Sequence, residues 1–147
     1  MTAEPSGRVP GGPRLIVIVG PTAAGKTAAA VELAGRIGGE IVSADSMQVY
    51  RHMDVGTAKP GTEERRRTPF HLLDIADPDR QISVADWKEL AQRAIADIRS
   101  RGNAPIVCGG TGLYVRALLD NWSLAGTPAD PVLRERLRER LESEGSA

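Results

Sequence analysis

The chain has 147 residues, of which 41% are hydrophobic and 26% are charged, and its formal net charge at neutral pH is zero. This length supports one domain with a hydrophobic core and is short for two. The balanced charge argues against a generally nucleic-acid-binding surface, and a single cysteine excludes an intrachain disulfide. No apolar run approaches the roughly 18 residues of a membrane span and no signal-peptide pattern is present, so we expect a cytoplasmic protein without membrane attachment.

The chain opens with a stretch that has almost nothing to bury. Residues 1–13 are rich in Gly and Pro, which predicts a disordered leader. The apolar run Leu15–Val19 then predicts a buried strand. The Ala-rich segment Lys26–Ile37 predicts a helix, and the pair of glycines after it predicts where that helix ends.

Between this strand and this helix lies a match to the phosphate-binding P-loop pattern G-x-x-x-x-G-K-[ST]. Its glycines let several backbone N–H groups point at one anion, and the helix N-terminus adds partial positive charge. Lys26 adds a full positive charge, and the Thr27 hydroxyl is a candidate Mg²⁺ ligand. The pattern by itself predicts binding of a nucleotide such as ATP or GTP. The P-loop comprises Gly20, Pro21, Thr22, Ala23, Ala24, Gly25, Lys26 and Thr27.

A second buried strand is predicted over Glu40–Ser43, joined to the first by a right-handed parallel crossover. Asp45 and Ser46 follow it, so we expect their side chains at the sheet edge that carries the P-loop. A carboxylate beside bound phosphates is repelled by them unless it holds a metal or moves a proton, which favours a functional role. The alternative is an Asp that forms a turn and caps a short helix over Met47–Met53.

Residues 44–80 give an irregular pattern, with a candidate strand over His71–Ile75. Asp74 is a weak candidate for the aspartate that holds Mg²⁺ in hydrolytic P-loop proteins. We interpret the charged run Glu63–Arg67 and the segment Arg134–Arg140 as solvated faces, although Arg65–Arg67 could touch a phosphate backbone. The two histidines are interpreted as structural or exposed rather than as metal ligands.

The next helix has a clear start and a regular apolar face. Ser83 and Asp86 fit a capping box, and the helix is predicted to extend to about Arg101 because its apolar residues recur at helical spacing. A third buried strand is predicted over Pro105–Cys108. A helix over Leu113–Leu119 is expected to follow.

A glycine-rich turn, Gly109–Gly112, ends the third strand at the P-loop edge. Thr111 within it could offer a hydroxyl to a substrate, and the alternative is an ordinary strand-to-helix turn. A glycine at Gly109, where hydrolytic P-loop proteins usually carry an Asp, weakens an ATPase or GTPase interpretation. Further on, Asp130 and Pro131 predict the start of a charged helix with a narrow apolar stripe.

Five sequence blocks together resemble the N-terminal part of the tRNA dimethylallyltransferases, which prenylate the adenosine next to the anticodon. The blocks occur in family order and at family spacing from Leu15 onward. The P-loop alone is unspecific, whereas the five blocks in series are highly specific. They are Gly20–Thr27, Ser43–Tyr50, Asp54–Pro60, His71–Asp74 and Gly109–Tyr114.

The resemblance implies an α/β fold of the P-loop NTPase-like type, with three layers and a mainly parallel sheet. It further implies that residues 14–147 form an incomplete prenyltransferase core, because members of the family continue well past Ala147. Residues 121–147 would begin the helical insertion that grips tRNA. The expected partners are dimethylallyl diphosphate and a tRNA anticodon stem-loop, and a monomer is expected.

By the same resemblance, the P-loop holds the diphosphate of dimethylallyl diphosphate together with Mg²⁺, and does not serve ATP hydrolysis. Asp45 would accept a proton from the exocyclic amine of the adenosine as its nitrogen attacks the allylic carbon. Thr111 would hydrogen-bond the adenine or the reacting region. The residues implied to hold the flipped-out base or to contact tRNA are Ser46, Met47, Gln48 and Arg134.

Two other classes of protein remain open on the sequence. A small-molecule P-loop kinase would bind ATP and transfer its phosphoryl group, but we find no acceptor-site signature, and Gly109 ends the third strand. A non-catalytic fragment that folds only in part or with a partner is the other alternative.

Overall fold

The structure, a computed structural model, describes residues 14–123 and 130–145. The predicted disordered leader over residues 1–13 lies outside the described residues. The strands are β1 (Ile16–Val19), β2 (Gly39–Ser43), β3 (Phe70–His71) and β4 (Ala104–Gly109). The helices are α1 (Lys26–Ile37), α2 (Thr62–Arg67), α3 (Val84–Ser100), α4 (Gly112–Leu119) and α5 (Pro131–Glu144).

The four strands form one parallel sheet in the order β1-β4-β2-β3. β4 therefore lies between β1 and β2, with Ile106 paired to Ile16 on one side and to Ile41 on the other. All residues of β2 are buried, whereas those of β1 are partly buried or exposed. Because all strands run in one direction, the loops after β1, β2 and β4 meet at the same edge of the sheet.

Helices cover both faces of this sheet and give the molecule three layers. Side chains of successive strand residues alternate between the faces. Ile41 and Ile106 pack with buried residues of α1, while Val42 and Val107 pack with buried residues of α3. Trp87 of α3 is fully buried, and its Nε1 donates a hydrogen bond to the Ser43 carbonyl oxygen at 3.1 Å. The predicted three-layer α/β fold with a mainly parallel sheet is thus confirmed.

Local signals place three of the helix ends where the sequence predicts them. α1 ends at Gly38, which adopts φ 66° and donates its N–H to Ala34. The predicted capping box of α3 is present, because the Ser83 hydroxyl accepts from the Asp86 N–H and the Asp86 carboxylate accepts from the Ser83 N–H. The Asp130 carboxylate accepts from the Leu133 N–H at 2.9 Å and starts α5.

The structure differs from the sequence expectation at two elements between residues 60 and 75. The predicted strand over His71–Ile75 is wrong in extent, because Leu72 and Asp74 adopt φ 64° and 54° and so leave the extended conformation. The charged run Glu63–Arg67 forms most of α2, a helix that the sequence does not predict. Because α2 has no buried residues, the interpretation of this run as a solvated face is confirmed. The Glu64 carboxylate caps the N-terminus of α2 by accepting a hydrogen bond from the Gly61 N–H at 2.8 Å.

Among the described residues, no helix is both long enough and apolar enough to cross a membrane.

Candidate functional site

The P-loop, the end of β2 and the end of β4 enclose one cavity of about 330 Å³ at the carboxyl edge of the sheet. Six of the eight predicted P-loop residues line it, as do Asp45 and Gln48. The structure therefore brings the predicted phosphate-binding loop and the predicted base into one space. The lining residues are Thr22, Ala23, Ala24, Gly25, Lys26, Thr27, Ala28, Asp45, Gln48, Thr57, Ala58, Glu64, Cys108 and Gly109.

The P-loop adopts a conformation that only a few residue types favour. Gly25 precedes α1 in the left-handed region at φ 78°, and Ala23 also has positive φ, at 64°. The Lys26 ammonium reaches back across the loop and donates to the Pro21 carbonyl oxygen at 2.5 Å. The loop therefore places a full positive charge and the N-terminus of α1 on one side of the cavity, which suits an anion.

Asp45 takes up the turn geometry that the sequence offers as an alternative. Its Oδ1 accepts hydrogen bonds from the N–H groups of Met47 at 2.9 Å and Gln48 at 3.3 Å. Residues 47–53 form turns and one bridge rather than a helix. The carboxylate still lines the cavity, and its Oδ2 has no hydrogen-bond partner within residues 14–123 and 130–145. The turn thus fixes one oxygen and leaves the other available to a ligand.

Thr111 links the loop after β4 to the loop after β2. Its hydroxyl accepts the Ser46 N–H at 2.9 Å and lies 3.3 Å from the Ser46 hydroxyl, to which it can donate. Its backbone N–H donates to the Ala44 carbonyl oxygen at 3.0 Å. These bonds hold Thr111 beside Ala44 and Ser46, the two chain neighbours of Asp45. Thr111 itself does not line the cavity.

Gln48 is buried and uses both ends of its amide within the protein. Its Oε1 accepts from the Ser43 hydroxyl at 3.1 Å, and its Nε2 donates to the carbonyl oxygens of Thr57 and Ala58, each at 3.1 Å. Gln48 therefore holds residues 57 and 58 at the cavity wall. Sequence reasoning assigned Gln48 to tRNA and did not predict this link.

Cys108 lines the cavity but is not equipped as a nucleophile. Burial raises the pKa of its thiol, and the nearby charge of Lys26 only partly opposes that shift. A thiol with a raised pKa is predominantly protonated at neutral pH, whereas the thiolate is the reactive form. Cys108 is therefore a wall residue of the cavity and not a candidate nucleophile.

Sequence comparison identifies the family. The family model described as IPP transferase matches residues 48–147, which is more than half of the chain. The chain belongs to the IPP transferase family. The match begins after the P-loop and covers all but the first four residues of the segment 44–80, for which the sequence pattern is irregular.

Similar proteins support the same assignment. A tRNA dimethylallyltransferase of Geobacter metallireducens is 56% identical over 132 residues, which are 90% of this chain and 42% of that protein. One of Chloroflexus aggregans is 52% identical over 133 residues, covering 90% of this chain and 45% of that protein. The chain thus spans less than half the length of these relatives.

Solved structures of relatives share the fold. A full-length tRNA isopentenylpyrophosphate transferase from Bacillus halodurans superposes with a TM-score of 0.75 at 49% identity, covering 88% of this chain and 43% of that chain. A eukaryotic dimethylallyltransferase acting on tRNA gives a TM-score of 0.74 at 33% identity, covering 89% of this chain and 32% of that chain. The resemblance found in the sequence is confirmed.

The structure contradicts the sequence-based suggestion that Asp74 holds Mg²⁺ beside the P-loop. Asp74 does not reach the P-loop cavity, and both of its carboxylate oxygens are engaged by cations, Oδ1 by Lys59 and Oδ2 by Arg65, each at 2.8 Å. Burial raises the pKa of the Asp74 carboxyl, but the hydrogen bonds and charges of these two partners prevail and lower it. Asp74 is therefore an ion-pair partner in the fold.

The structure separates one predicted tRNA residue from the others. Arg134 is exposed on α5 and does not line the cavity. Ser46 and Met47 lie between the cavity residues Asp45 and Gln48 in the chain, and Met47 is 45% exposed. Sequence reasoning missed Thr57, Ala58 and Glu64 as cavity residues, and the family-typical block over Asp54–Pro60 was the only signal for the first two.

Proposed function

We propose that this protein carries the P-loop and the catalytic base of a prenyl transfer from dimethylallyl diphosphate to the N6 amine of the adenosine next to the anticodon in tRNA. The observation that carries the proposal is that the P-loop and Asp45 line one cavity. A phosphate-binding loop facing a carboxylate suits a reaction in which a diphosphate leaves and an amine loses a proton. The relatives named above are tRNA dimethylallyltransferases.

The P-loop would bind the leaving group. Lys26 and the N-terminus of α1 border the cavity, and backbone N–H groups of the loop would supply further donors to a bound diphosphate. As the carbon–oxygen bond of the allylic diphosphate breaks, the electron pair of that bond stays on the diphosphate. Fixed donors aimed at this growing charge stabilise the transition state.

Asp45 would act as the general base. The N6 nitrogen attacks the allylic carbon with its lone pair, and the proton that it loses passes to the Asp45 carboxylate. The bonds from Met47 and Gln48 hold Oδ1 and orient the carboxylate, and Oδ2 is the oxygen available for the proton. Thr111 would hold the loop of Asp45 through Ser46 and would hydrogen-bond the adenine when the base enters. A positioned base contributes about 10²–10⁴-fold to a rate.

Mg²⁺ fits this site. The Thr27 hydroxyl lines the same cavity as the Asp45 carboxylate, and both are the oxygen donors that Mg²⁺ prefers. The described residues contain no group of three or more His, Cys, Asp or Glu side chains that could hold a metal. This arrangement is compatible with an ion bound chiefly by substrate phosphates and water, with Thr27 as its protein ligand. Bound Mg²⁺ would neutralise charge on the diphosphate.

The proposed nucleic-acid partner is a tRNA anticodon stem-loop whose adenosine is flipped out of the stack. Ser46, Met47 and Gln48 would receive the base beside Asp45, and Arg134 on α5 would contact the tRNA backbone. The eukaryotic relative named above is a dimethylallyltransferase that acts on tRNA. We further propose a monomeric protein of the cytoplasm, where tRNA is processed.

The test uses both the 147-residue chain and a chimera. In the chimera, residues 14–147 replace the matching segment of the Geobacter metallireducens relative, which supplies the rest of such an enzyme. Labelled dimethylallyl diphosphate, Mg²⁺ and an anticodon stem-loop are incubated with each protein. We expect label on the adenosine with the chimera, and Asp45→Asn should reduce the rate by at least about a hundredfold because the base is lost.

The matched control is Asp120→Asn, which removes an exposed carboxylate that does not line the cavity and should leave the rate unchanged. Transfer by the Asp45→Asn chimera at the parental rate would contradict the role of Asp45. A chimera that transfers no label but phosphorylates a small acceptor from ATP would establish the kinase alternative instead.

A further inference from the structure

Two of the five sequence blocks have no role in the proposed chemistry, yet they meet in the structure. The block over Asp54–Pro60 supplies Lys59 and Asp54, and the block over His71–Asp74 supplies Asp74. The Lys59 ammonium lies 2.8 Å from Asp54 Oδ1 and 2.8 Å from Asp74 Oδ1. These distances show an ion cluster that joins two segments of the chain well separated in sequence.

Lys59 is buried to an unusual degree for a lysine. Its side chain is only 2% exposed, and its third donor is taken by the Tyr50 carbonyl oxygen at 2.8 Å. Burial lowers the pKa of the ammonium, but hydrogen bonds and charges of Asp54 and Asp74 outweigh burial and raise it. All three donors of a charged ammonium are therefore satisfied, which fixes the end of the side chain in one place.

The segment that carries Lys59 borders two cavities. Residues 54–61 are here called the partition. Thr57 and Ala58 of the partition line the P-loop cavity, whereas Asp54, Lys59 and Gly61 line a second cavity of about 600 Å³. The partition therefore forms part of the wall of the proposed diphosphate site.

Residues outside the partition hold its second half in place. Gln48 holds the carbonyl oxygens of Thr57 and Ala58, and Lys59 binds Asp74, which lies outside the partition. Asp74 is itself held by Arg65 of α2, whose Nε donates to the Pro60 carbonyl oxygen at 2.9 Å. Ala58 adopts φ 49°, a conformation that an Ala does not favour and that these anchors must maintain.

We propose that Lys59 is a positioning residue for diphosphate binding: its buried ammonium fixes the partition so that Thr57 and Ala58 close the P-loop cavity around the ligand. The inference rests on the proposed function, because it assumes that the cavity takes the diphosphate. Lys59 acts through the backbone of the partition and does not touch the ligand. Loss of the Lys59 charge should let the partition move and should weaken diphosphate binding, while the rest of the fold stays intact.

The test compares two lysines. Lys59→Met keeps the aliphatic stem and removes the ammonium. Lys88→Met is the matched control, because Lys88 also joins two parts of the chain, donating to Asn121 Oδ1 at 3.1 Å and to the Trp122 carbonyl oxygen at 2.6 Å, but lines neither cavity. The affinity of the 147-residue chain and of each variant for inorganic pyrophosphate with Mg²⁺ is measured by calorimetry. Amide hydrogen exchange of the partition is measured without ligand.

We expect Lys59→Met to bind pyrophosphate at least about tenfold more weakly and to exchange faster throughout the partition, because small displacements of a positioning group have large effects. Lys88→Met should change neither quantity, even if it lowers the midpoint of unfolding. Should Lys59→Met not fold, Asp54→Asn serves in its place. Asp54→Asn removes one charged partner of Lys59. Because the Asp54 side chain is 68% exposed, we expect it to weaken pyrophosphate binding by only about threefold.

Two results overturn the role of Lys59: unchanged exchange in the partition of Lys59→Met, or a loss of pyrophosphate affinity no greater than that of Lys88→Met. Failure of the unsubstituted chain to bind pyrophosphate is a different result. It contradicts the proposed diphosphate site itself.

Discussion

Glu40 shows how a single residue can tie one end of the sheet together. It lies at the start of β2, its side chain is 6% exposed, and it receives hydrogen bonds from three partners. Arg101 donates at 2.8 Å and Asn103 at 2.7 Å, and His71 Nε2 lies 2.6 Å away. Burial raises the pKa of the Glu40 carboxyl, but these hydrogen bonds lower it overall, to about 2 from the ordinary 4.5.

A carboxyl with a lowered folded-state pKa stabilises the fold above its unfolded pKa, and this stabilisation is lost as pH falls through the folded value. For Glu40 the loss extends from about pH 4.5 down to about pH 2. We expect Glu40→Gln to lower the free energy of unfolding by about 3 kcal/mol at pH 7 and by much less at pH 2. Urea unfolding at both pH values measures this.

Glu32→Gln is the control for this prediction. Glu32 pairs with Arg36 on the surface of α1 with 57% of its side chain exposed, so its loss should cost no more than about 0.5 kcal/mol at either pH. Equal costs for the two variants at pH 7 would show that the Glu40 cluster does not stabilise the fold.

The partners of individual residues were the part of the site that the sequence predicted least well. Asp45 and the P-loop could be placed at one edge because parallel strands bring their carboxyl ends together. Asp74 could not be placed, because its partners Lys59 and Arg65 lie 15 and 9 residues away and no local pattern pairs them. A carboxylate after an apolar run is ambiguous until the tertiary contacts are known.

At the scale of elements, the meeting of β2 and β4 determines the shape of the site. A Cβ added to Gly109 at the end of β4 would lie 2.2 Å from the Ala44 carbonyl oxygen, which is far inside van der Waals contact. The loop after β2 can approach β4 this closely only because Gly109 has no side chain. This contact explains why glycine stands where hydrolytic P-loop proteins usually carry an Asp.

We therefore expect Gly109→Ala to lower the free energy of unfolding by about 1–3 kcal/mol or more, because the two backbones must separate. Gly110→Ala is the neighbouring control. Its added Cβ would meet the Gly20 carbonyl oxygen at 3.6 Å, an ordinary contact, so little change is expected. Urea unfolding of both variants tests this, and similar costs would contradict the close approach of β2 and β4.

Elements with strong local signals were predicted well and those without were not. The capping box of α3 and the glycine end of α1 depend on residues within a few positions of each other. The position of β4 between β1 and β2 depends on packing between distant segments. α2 has no apolar stripe and is held in place by the Arg65–Asp74 ion pair, so its sequence showed only a charged run.

At the scale of the whole molecule, the core does not depend on α5. No residue of α5 is buried, and Leu133, Leu137 and Leu141 are each about half exposed. We expect removal of residues 124–147 to change the free energy of unfolding by less than about 0.5 kcal/mol. The m-value, which is the dependence of that free energy on urea concentration, should not change.

Trp87→Ala serves as the positive control for this removal. Trp87 is fully buried and stacks on Tyr114 with ring centroids 4.6 Å apart, so its truncation should cost about 3–5 kcal/mol. A decrease of more than about 1 kcal/mol on removing residues 124–147 would show that they stabilise the core in solution.

The edge position of β1 has a consequence for how the protein behaves at high concentration. Within the described residues β1 has one neighbour, β4, so its other side presents a row of backbone N–H and C=O groups. β1 is also a run of four β-branched residues, Ile16–Val19, with Val19 58% exposed. Such an edge is a template for strand addition by another chain. We therefore expect any self-association of this chain at high concentration to begin at β1, the strand that leads into the P-loop.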